Sequence, residues 1–175
     1  ILVYAQELVP NRVGLVSADG SVLACREFAV GSAPVPPSTR TDVVWPVERD
    51  WDRDMENVYG AWLGKLFFAP PTERPEWKPL HQVLRDRERN FLYDSLGLGE
   101  DDDLVVEPDC ADTPQFLRAY FAWKMRLPFV YARCSSGSST VPPRCDRRRS
   151  NLDPPRAPSE AVAFRKFLKL DVANT

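Results

Sequence analysis

The chain has 175 residues, the length of a single domain, and 43 % of them are apolar, which is enough to build a buried core. It carries 23 basic and 25 acidic residues. This near balance argues against a nucleic-acid-binding domain, which normally has a basic excess. No apolar run approaches the roughly 18 residues of a membrane span. One histidine and four cysteines without C-x-x-C spacing do not make a zinc site. We therefore expect no metal, no cofactor, no nucleic acid partner and no membrane span.

The first part of the chain is predicted to form a β-hairpin followed by a linker. Apolar and polar residues alternate in residues 12–16 and 21–26, on either side of Asp19-Gly20. An Asp-Gly pair between two such stretches is a strong hairpin signal. Residues 31–41 are rich in proline, serine and threonine, a composition typical of a linker.

Four later stretches have apolar residues at three- and four-residue spacing, which predicts amphipathic helices at residues 50–68, 79–95, 112–126 and 159–170. A short strand is predicted at residues 129–131 and a long loop at residues 134–158. The predicted fold class is α+β, with helices packed on a small antiparallel sheet. We divide the chain into a hairpin with its linker, a helical core, and a long loop with a C-terminal helix: residues 1–40, 41–133 and 134–175.

The stretch from Asp109 to Pro114 carries the chemical signal of this sequence. Pro114 is tolerated only in the first turn of a helix, and Asp112 or Thr113 can cap that helix, so Cys110 is expected at or just before its N-terminus. The helix dipole favours a thiolate there, which is the nucleophilic form of cysteine. The charges of Asp109 and Asp112 oppose the thiolate. A basic partner such as an imidazole is therefore needed.

These residues also carry a resemblance. Asp-Cys-x-Asp at residues 109–112, the aliphatic and aromatic helix after it, and Leu-Pro-Phe-Val-Tyr-Ala-Arg at residues 127–133 resemble the core of transglutaminase-like and papain-like cysteine enzymes. The Asp-Cys pair is similar to that of NlpC/P60 cell-wall hydrolases, and residues 58–123 are similar to large uncharacterised bacterial proteins. The resemblance implies a papain-like half-domain that hydrolyses or transfers amide-bonded acyl groups of peptides or peptidoglycan through an acyl-enzyme on Cys110.

The candidate catalytic residues are Cys110, Asp109, Asp112 and His81, and the backbone N–H groups of Cys110 and Ala111 are candidate oxyanion donors. The resembling families place their histidine after the cysteine helix, whereas no histidine follows Cys110 in this chain. Three interpretations remain open. A second polypeptide segment completes the sheet beside residues 129–131 and supplies the histidine, or His81 acts in a permuted site, or the chain is a non-catalytic structural or interaction subunit. We favour the first, which makes the protein heteromeric.

The remaining cysteines predict a covalent link. Cys134 and Cys145 bracket a ten-residue loop of mostly small and polar residues, which apolar packing cannot hold. We expect them to form a disulfide, which would indicate a secreted or periplasmic protein, although two surface thiols are the alternative. Cys25 would then be unpaired and buried in the hairpin.

Two charged clusters are predicted to lie in solvent. Arg144 and residues 147–149 form a basic cluster that needs no function, with an anionic contact or a protease-sensitive loop as alternatives. Asp101-Asp102-Asp103 lacks the spacing of a calcium loop and is expected to be a solvated turn.

Overall fold

A computed structural model describes most of the chain, namely residues 11–16, 19, 21–28, 41–76, 79–135, 138–142 and 144–172. The chain divides into two compact units, Ile1–Val35 and Pro36–Thr175. The first unit contains strands β1 (Asn11–Val16) and β2 (Val22–Phe28). They pair antiparallel, with one register shift near the turn, and this confirms the predicted hairpin. The side chain of Cys25 lies outside the described part of the structure.

The described residues of the second unit form four helices and a second two-stranded antiparallel sheet. In chain order these elements are α1 (Arg53–Leu66), α2 (Leu80–Arg85), α3 (Thr113–Lys124), β3 (Val130–Cys134), β4 (Cys145–Ser150) and α4 (Glu160–Phe167), which continues as a π-helical turn at Leu168–Val172. The α+β class is therefore confirmed. No helix within the described ranges is long and apolar enough to cross a membrane.

Two predicted elements differ from the structure. The second helix was expected to extend to residue 95, but α2 ends at Arg85 because Asp86 takes an extended conformation and begins a series of turns. Its carboxylate also accepts the backbone N–H of Glu88 at 3.0 Å, a local bond that competes with helix formation. The predicted loop at 134–158 contains β4, which pairs with β3 despite its polar sequence.

Helix α3 lies at the centre of the core of this unit. Eight of its residues are buried, from Phe116 to Lys124, so the helix has almost no solvent-facing side beyond its first turn. Trp62 of α1 stacks on Tyr120 with ring centroids 5.6 Å apart, and Phe164 of α4 stacks on Trp123 at 3.9 Å. Aromatic contacts from two other helices therefore hold the axis of α3 in place.

A fully buried charged cluster closes the C-terminal end of α3. The ammonium group of Lys124 donates to a carboxylate oxygen of Glu100, and to Oδ2 of Asp101 at 2.6 Å. None of the three side chains is exposed to solvent. The Tyr120 hydroxyl donates to Oδ1 of Asp101 at 2.8 Å. We call Lys124, Glu100, Asp101 and Tyr120 the buried charge cluster.

Backbone and amide groups complete the hydrogen bonds of this cluster. Glu100 accepts the N–H groups of Leu96 and Leu98 at 3.1 and 3.0 Å, and Asp101 accepts the N–H of Asp94 at 2.7 Å. Each of the two buried carboxylates is thus satisfied by several donors, and these bonds hold the turn in place around them. The expectation that residues 101–103 form a solvated turn is therefore wrong for Asp101, which is fully buried.

Asn90 extends the hydrogen-bond network to α1. Its side-chain nitrogen donates to the Tyr120 hydroxyl at 2.9 Å and its side-chain oxygen accepts from Trp62 Nε1, also at 2.9 Å. Burial first, and then the negative charge of Asp101, raises the pKa of Tyr120 well above its usual value of 10.0. The phenol therefore stays protonated and keeps donating to Asp101.

Asn151 attaches the second sheet to the core. Its side-chain oxygen accepts the N–H of Phe129 at 2.9 Å, and its side-chain nitrogen donates to the carbonyl of Trp45 at 3.0 Å. Trp45 is fully buried, and its Nε1 donates to the carbonyl of Leu127 at 2.9 Å. The base of the β3–β4 hairpin is thus anchored to the segment before α1.

We predict that Lys124→Met lowers the free energy of unfolding by about 3–5 kcal/mol, because it leaves two buried carboxylates without their counter-charge. Urea denaturation of the full chain measures the change. The matched control is Lys65→Met on α1, where the lysine is exposed, and a change within about 0.5 kcal/mol is expected there. Equal effects of the two substitutions would contradict the structural role of the cluster.

A second prediction concerns acid stability. Burial raises the pKa of the Glu100 carboxyl, but hydrogen bonds from the Lys124 ammonium group and from backbone N–H groups outweigh it and lower the pKa from 4.5 to about 2. A lowered folded-state pKa contributes stability above the unfolded value, which is lost as the pH falls from about 4.5 to about 2. The stability difference between the native chain and Glu100→Gln should therefore shrink across that window in urea titrations. A constant difference would show that Glu100 does not ionise differently in the two states.

Candidate functional site

Cys110 is exposed and lies in the turn immediately before α3. The carboxylate of Asp109 holds this turn, since its Oδ1 accepts the N–H of Ala111 at 2.8 Å and that of Asp112 at 2.9 Å. The carbonyl of Asp109 also accepts the Thr113 hydroxyl at 2.7 Å. The predicted position of the cysteine at the start of this helix is thus confirmed.

Two details of the predicted site are corrected by these bonds. Ala111 was expected to offer its N–H to an oxyanion, but that group already donates to Asp109. Asp112 occupies the N-cap position and makes no capping bond with its side chain. Asp109 takes over the capping role because an aspartate two or three residues before an N–H closes a local turn. Asp109 is therefore a structural acceptor of this turn.

His81 lies at the start of α2 and is hydrogen-bonded to the backbone of Val106. Its backbone N–H donates to the carbonyl of Val106 at 3.3 Å, and its Nδ1 lies 3.2 Å from the same oxygen. Since a carbonyl only accepts, Nδ1 carries the proton in this contact. Among the residues that the structure describes, no hydrogen bond joins His81 to Cys110.

Helix α2 positions the segment that leads to Cys110. Arg85 donates from Nε to the carbonyl of Asp101 at 3.1 Å and from a terminal nitrogen to the carbonyl of Leu104 at 2.8 Å. One turn earlier, His81 binds the carbonyl of Val106. Leu104 and Val106 are buried, while Val105 between them is exposed. This segment therefore connects the buried charge cluster to the turn of the thiol, and its buried and exposed side chains alternate.

Cys134 and Cys145 form the predicted disulfide, with an S–S distance of 2.00 Å. They occupy directly opposite positions in β3 and β4. Their Cα atoms are 3.9 Å apart, closer than the usual range of about 4.4–6.8 Å. The bond closes the loop between the two strands. A disulfide is compatible with an extracellular location.

The described ranges contain no group of three or more histidine, cysteine or acidic side chains that could hold a metal ion. The capping role of Asp109 was not predicted from the sequence. The spacing of an aspartate two residues before Ala111 and three before Asp112 was the signal that could have revealed it.

No protein-family model, curated protein or solved structure matches this chain.

We predict that Asp109→Ala destabilises the protein by about 1 kcal/mol, because two N–H groups at the start of α3 lose their acceptor. Asp109→Asn keeps an acceptor oxygen and should cost less than half as much. Urea denaturation of both variants compares them. If Asn and Ala were equally destabilising, the negative charge and not the hydrogen bonding would be what stabilises the turn.

Proposed function

We propose that Cys110 is the nucleophile of an amide-bond hydrolase or acyltransferase with a papain-like half-domain, and that a second polypeptide segment supplies the histidine. The observation that carries the proposal is the position of the thiol, which is exposed directly in front of a helix that is otherwise buried. A nucleophile has to be accessible to substrate and at the same time held still.

The surroundings of Cys110 support the second requirement. The Asp109 carboxylate closes the turn on the C-terminal side of the thiol, and α2 binds the incoming segment through His81 and Arg85. Fourteen positions after Cys110, Lys124 ends α3 in the buried charge cluster. Both ends of this helix are thus fixed to the core, which holds the thiol in one place relative to a bound substrate.

In the proposed reaction the Cys110 thiolate attacks the carbonyl carbon of an amide. A C–S bond forms, the C–N bond breaks, and the leaving amine takes the proton that the thiol had given to the imidazole. Water or an acceptor amine then attacks the thioester and releases the thiol. With the Ala111 N–H donated to Asp109, the Cys110 N–H is the remaining backbone donor proposed for the oxyanion. The substrates we propose are peptides or peptidoglycan stems outside the cytoplasm.

A non-catalytic interaction subunit is the second candidate, and a specific observation favours it. The Asp109 carboxylate occupies the N–H groups beside the thiol, and no imidazole is hydrogen-bonded to Cys110 within the described residues. A subunit that had kept the fold without the reaction would show the same arrangement.

We predict that native material isolated with its bound partners cleaves amide bonds in peptide or peptidoglycan digests, and that Cys110→Ser abolishes cleavage while leaving the urea midpoint unchanged. The serine keeps the size of the side chain but not the thiolate. Product formation by mass spectrometry is the readout, and intact mass shows whether a second chain co-purifies.

The variant His81→Gln tests whether the catalytic base is His81 or a histidine of another segment. Full activity of this variant would support a histidine from another segment. Loss of activity with a normal fold would assign the base to His81 and overturn the second-segment part of the proposal. Equal activity of the native chain and Cys110→Ser would favour the interaction subunit.

A further inference from the structure

The β3–β4 hairpin has an edge to which a further strand can be added. The backbone N–H of Asn151 donates to the carbonyl of Phe129 at 3.1 Å, and this bond flanks the first pair of the ladder, Val130 with Ser150, as it does beside a non-hydrogen-bonded pair. Hydrogen-bonded and non-hydrogen-bonded pairs alternate along such a ladder. Val130 with Ser150, and Ala132 with Arg148, are therefore non-hydrogen-bonded pairs.

In a non-hydrogen-bonded pair the backbone N–H and C=O groups point away from the partner strand. The N–H of Ser150 confirms this direction, because it leaves the ladder and donates to Oδ2 of Asp153 at 3.0 Å. The outer edge of β4 is covered there by its own chain. On β3, the N–H groups of Val130 and Ala132 point to the opposite edge by the register of the ladder, and no backbone bond outside the ladder joins them to another described residue. A strand edge that the described residues leave uncovered is a template for another extended chain.

The side chains beside this edge indicate the chemistry of the added chain. Directly opposite residues share one face of a sheet, so Val130, Ala132 and Arg148 lie on the same face, on the other side from buried Tyr131. Val130 is 64 % exposed. Arg148 is exposed as well. This face therefore offers an apolar contact next to a guanidinium group.

The charge of the hairpin also favours an acidic partner. Residues 130–150 contain five arginines and one aspartate, whereas the whole chain has a net charge of −2. Pairing of two copies through this edge would bring arginines together, and like charges across neighbouring strands are destabilising. Opposite charges on the partner are stabilising, and arginine binds carboxylates with two parallel bonds. An oligonucleotide would use the arginines but not the backbone edge.

We infer that the outer edge of β3 binds an extended, acidic peptide segment of another polypeptide as an added strand. The N–H groups of Val130 and Ala132 donate to its carbonyls, Val130 contacts an apolar residue, and Arg148 pairs with its carboxylates. This inference gives a chemistry to the second segment of the proposed function, and binding at the edge does not require Cys110 to react.

The test uses the full chain and a fluorescein-labelled short peptide of alternating glutamate and valine, followed by fluorescence anisotropy. Ala132→Pro removes an outward N–H without removing a ladder bond, a substitution that edge strands tolerate. It should weaken binding at least about tenfold, while Ala132→Val, which keeps the N–H, should bind like the native chain. Arg148→Glu should also weaken binding about tenfold, and the same charge change at exposed Lys65 should not.

A second measurement does not depend on whether the proline variant folds. The same peptide with N-methylated backbone nitrogens keeps every charge but cannot pair as a strand, and it should lose binding to the native chain. The inference would be overturned if the methylated peptide or a lysine–valine peptide bound as tightly as the original peptide. It would also be overturned if an oligothymidylate displaced the peptide completely and did so equally well from the Ala132→Pro variant. Each of these results would indicate non-specific adsorption.

Cys110→Ser separates this inference from the proposed function. The variant should bind the peptide like the native chain. Absent binding together with Cys110-dependent cleavage would overturn the docking inference alone, and normal binding without cleavage would overturn the enzyme proposal alone.

Discussion

The ion pairs of Lys124 with Glu100 and Asp101 are the constraint on which the rest of the second unit depends. Removing three charged groups from water costs several kcal/mol per ion, and only close pairing with additional hydrogen bonds offsets this cost. Every oxygen of the two carboxylates has a donor from Lys124, Tyr120 or the backbone. Such a cluster tolerates little rearrangement, because any movement would leave a buried charge unpaired.

The cluster explains why a chain with few long elements has a defined core. Residues 86–100 have almost no regular secondary structure, yet they include two buried polar side chains, Asn90 and Glu100. Each of these fixes a turn to α3, Asn90 through the Tyr120 hydroxyl and Glu100 through Lys124. The aromatic side chains of α1 and α4 then pack on the same helix. Polar bonds decide where the irregular segment lies, and apolar contacts supply the larger part of the burial.

The turn of Cys110 and the β3–β4 hairpin are held in place by different contacts. The turn of Cys110 is held by local bonds of Asp109 and by α2, and it follows directly from the segment that leaves the cluster. The β3–β4 hairpin is held by Asn151 and the Cys134–Cys145 disulfide, and only one of its faces is buried. A thiol held by local bonds and a sheet edge that the described residues leave uncovered are the two observations on which the proposed function and the proposed docking of a strand rest.

Several features were determined by the sequence alone, because they depend on neighbouring residues. Pro114 defined the start of α3, the Asp-Gly pair defined the first hairpin, and the short loop between Cys134 and Cys145 predicted their disulfide. Local sequence patterns gave wrong predictions where contacts between distant residues determine the structure. A lysine on a helix and an acidic turn both look solvated in sequence, and only contacts across more than 20 positions bring Lys124 to Asp101.

The same holds for β4, for the short α2 and for the donors around Cys110. The arginine-rich sequence of β4 has little strand propensity, and β3 with its disulfide makes it a strand. The apolar spacing after Arg85 favoured a longer helix, but burial of Asn90 with its bonds to Tyr120 and Trp62 requires turns there. Neighbouring residues, Pro114 above all, thus determined that Cys110 precedes a helix. Only the tertiary structure decided that α3 is buried, that His81 binds Val106, and that an edge of β3 is left uncovered by the described residues, because these outcomes depend on segments far apart in sequence.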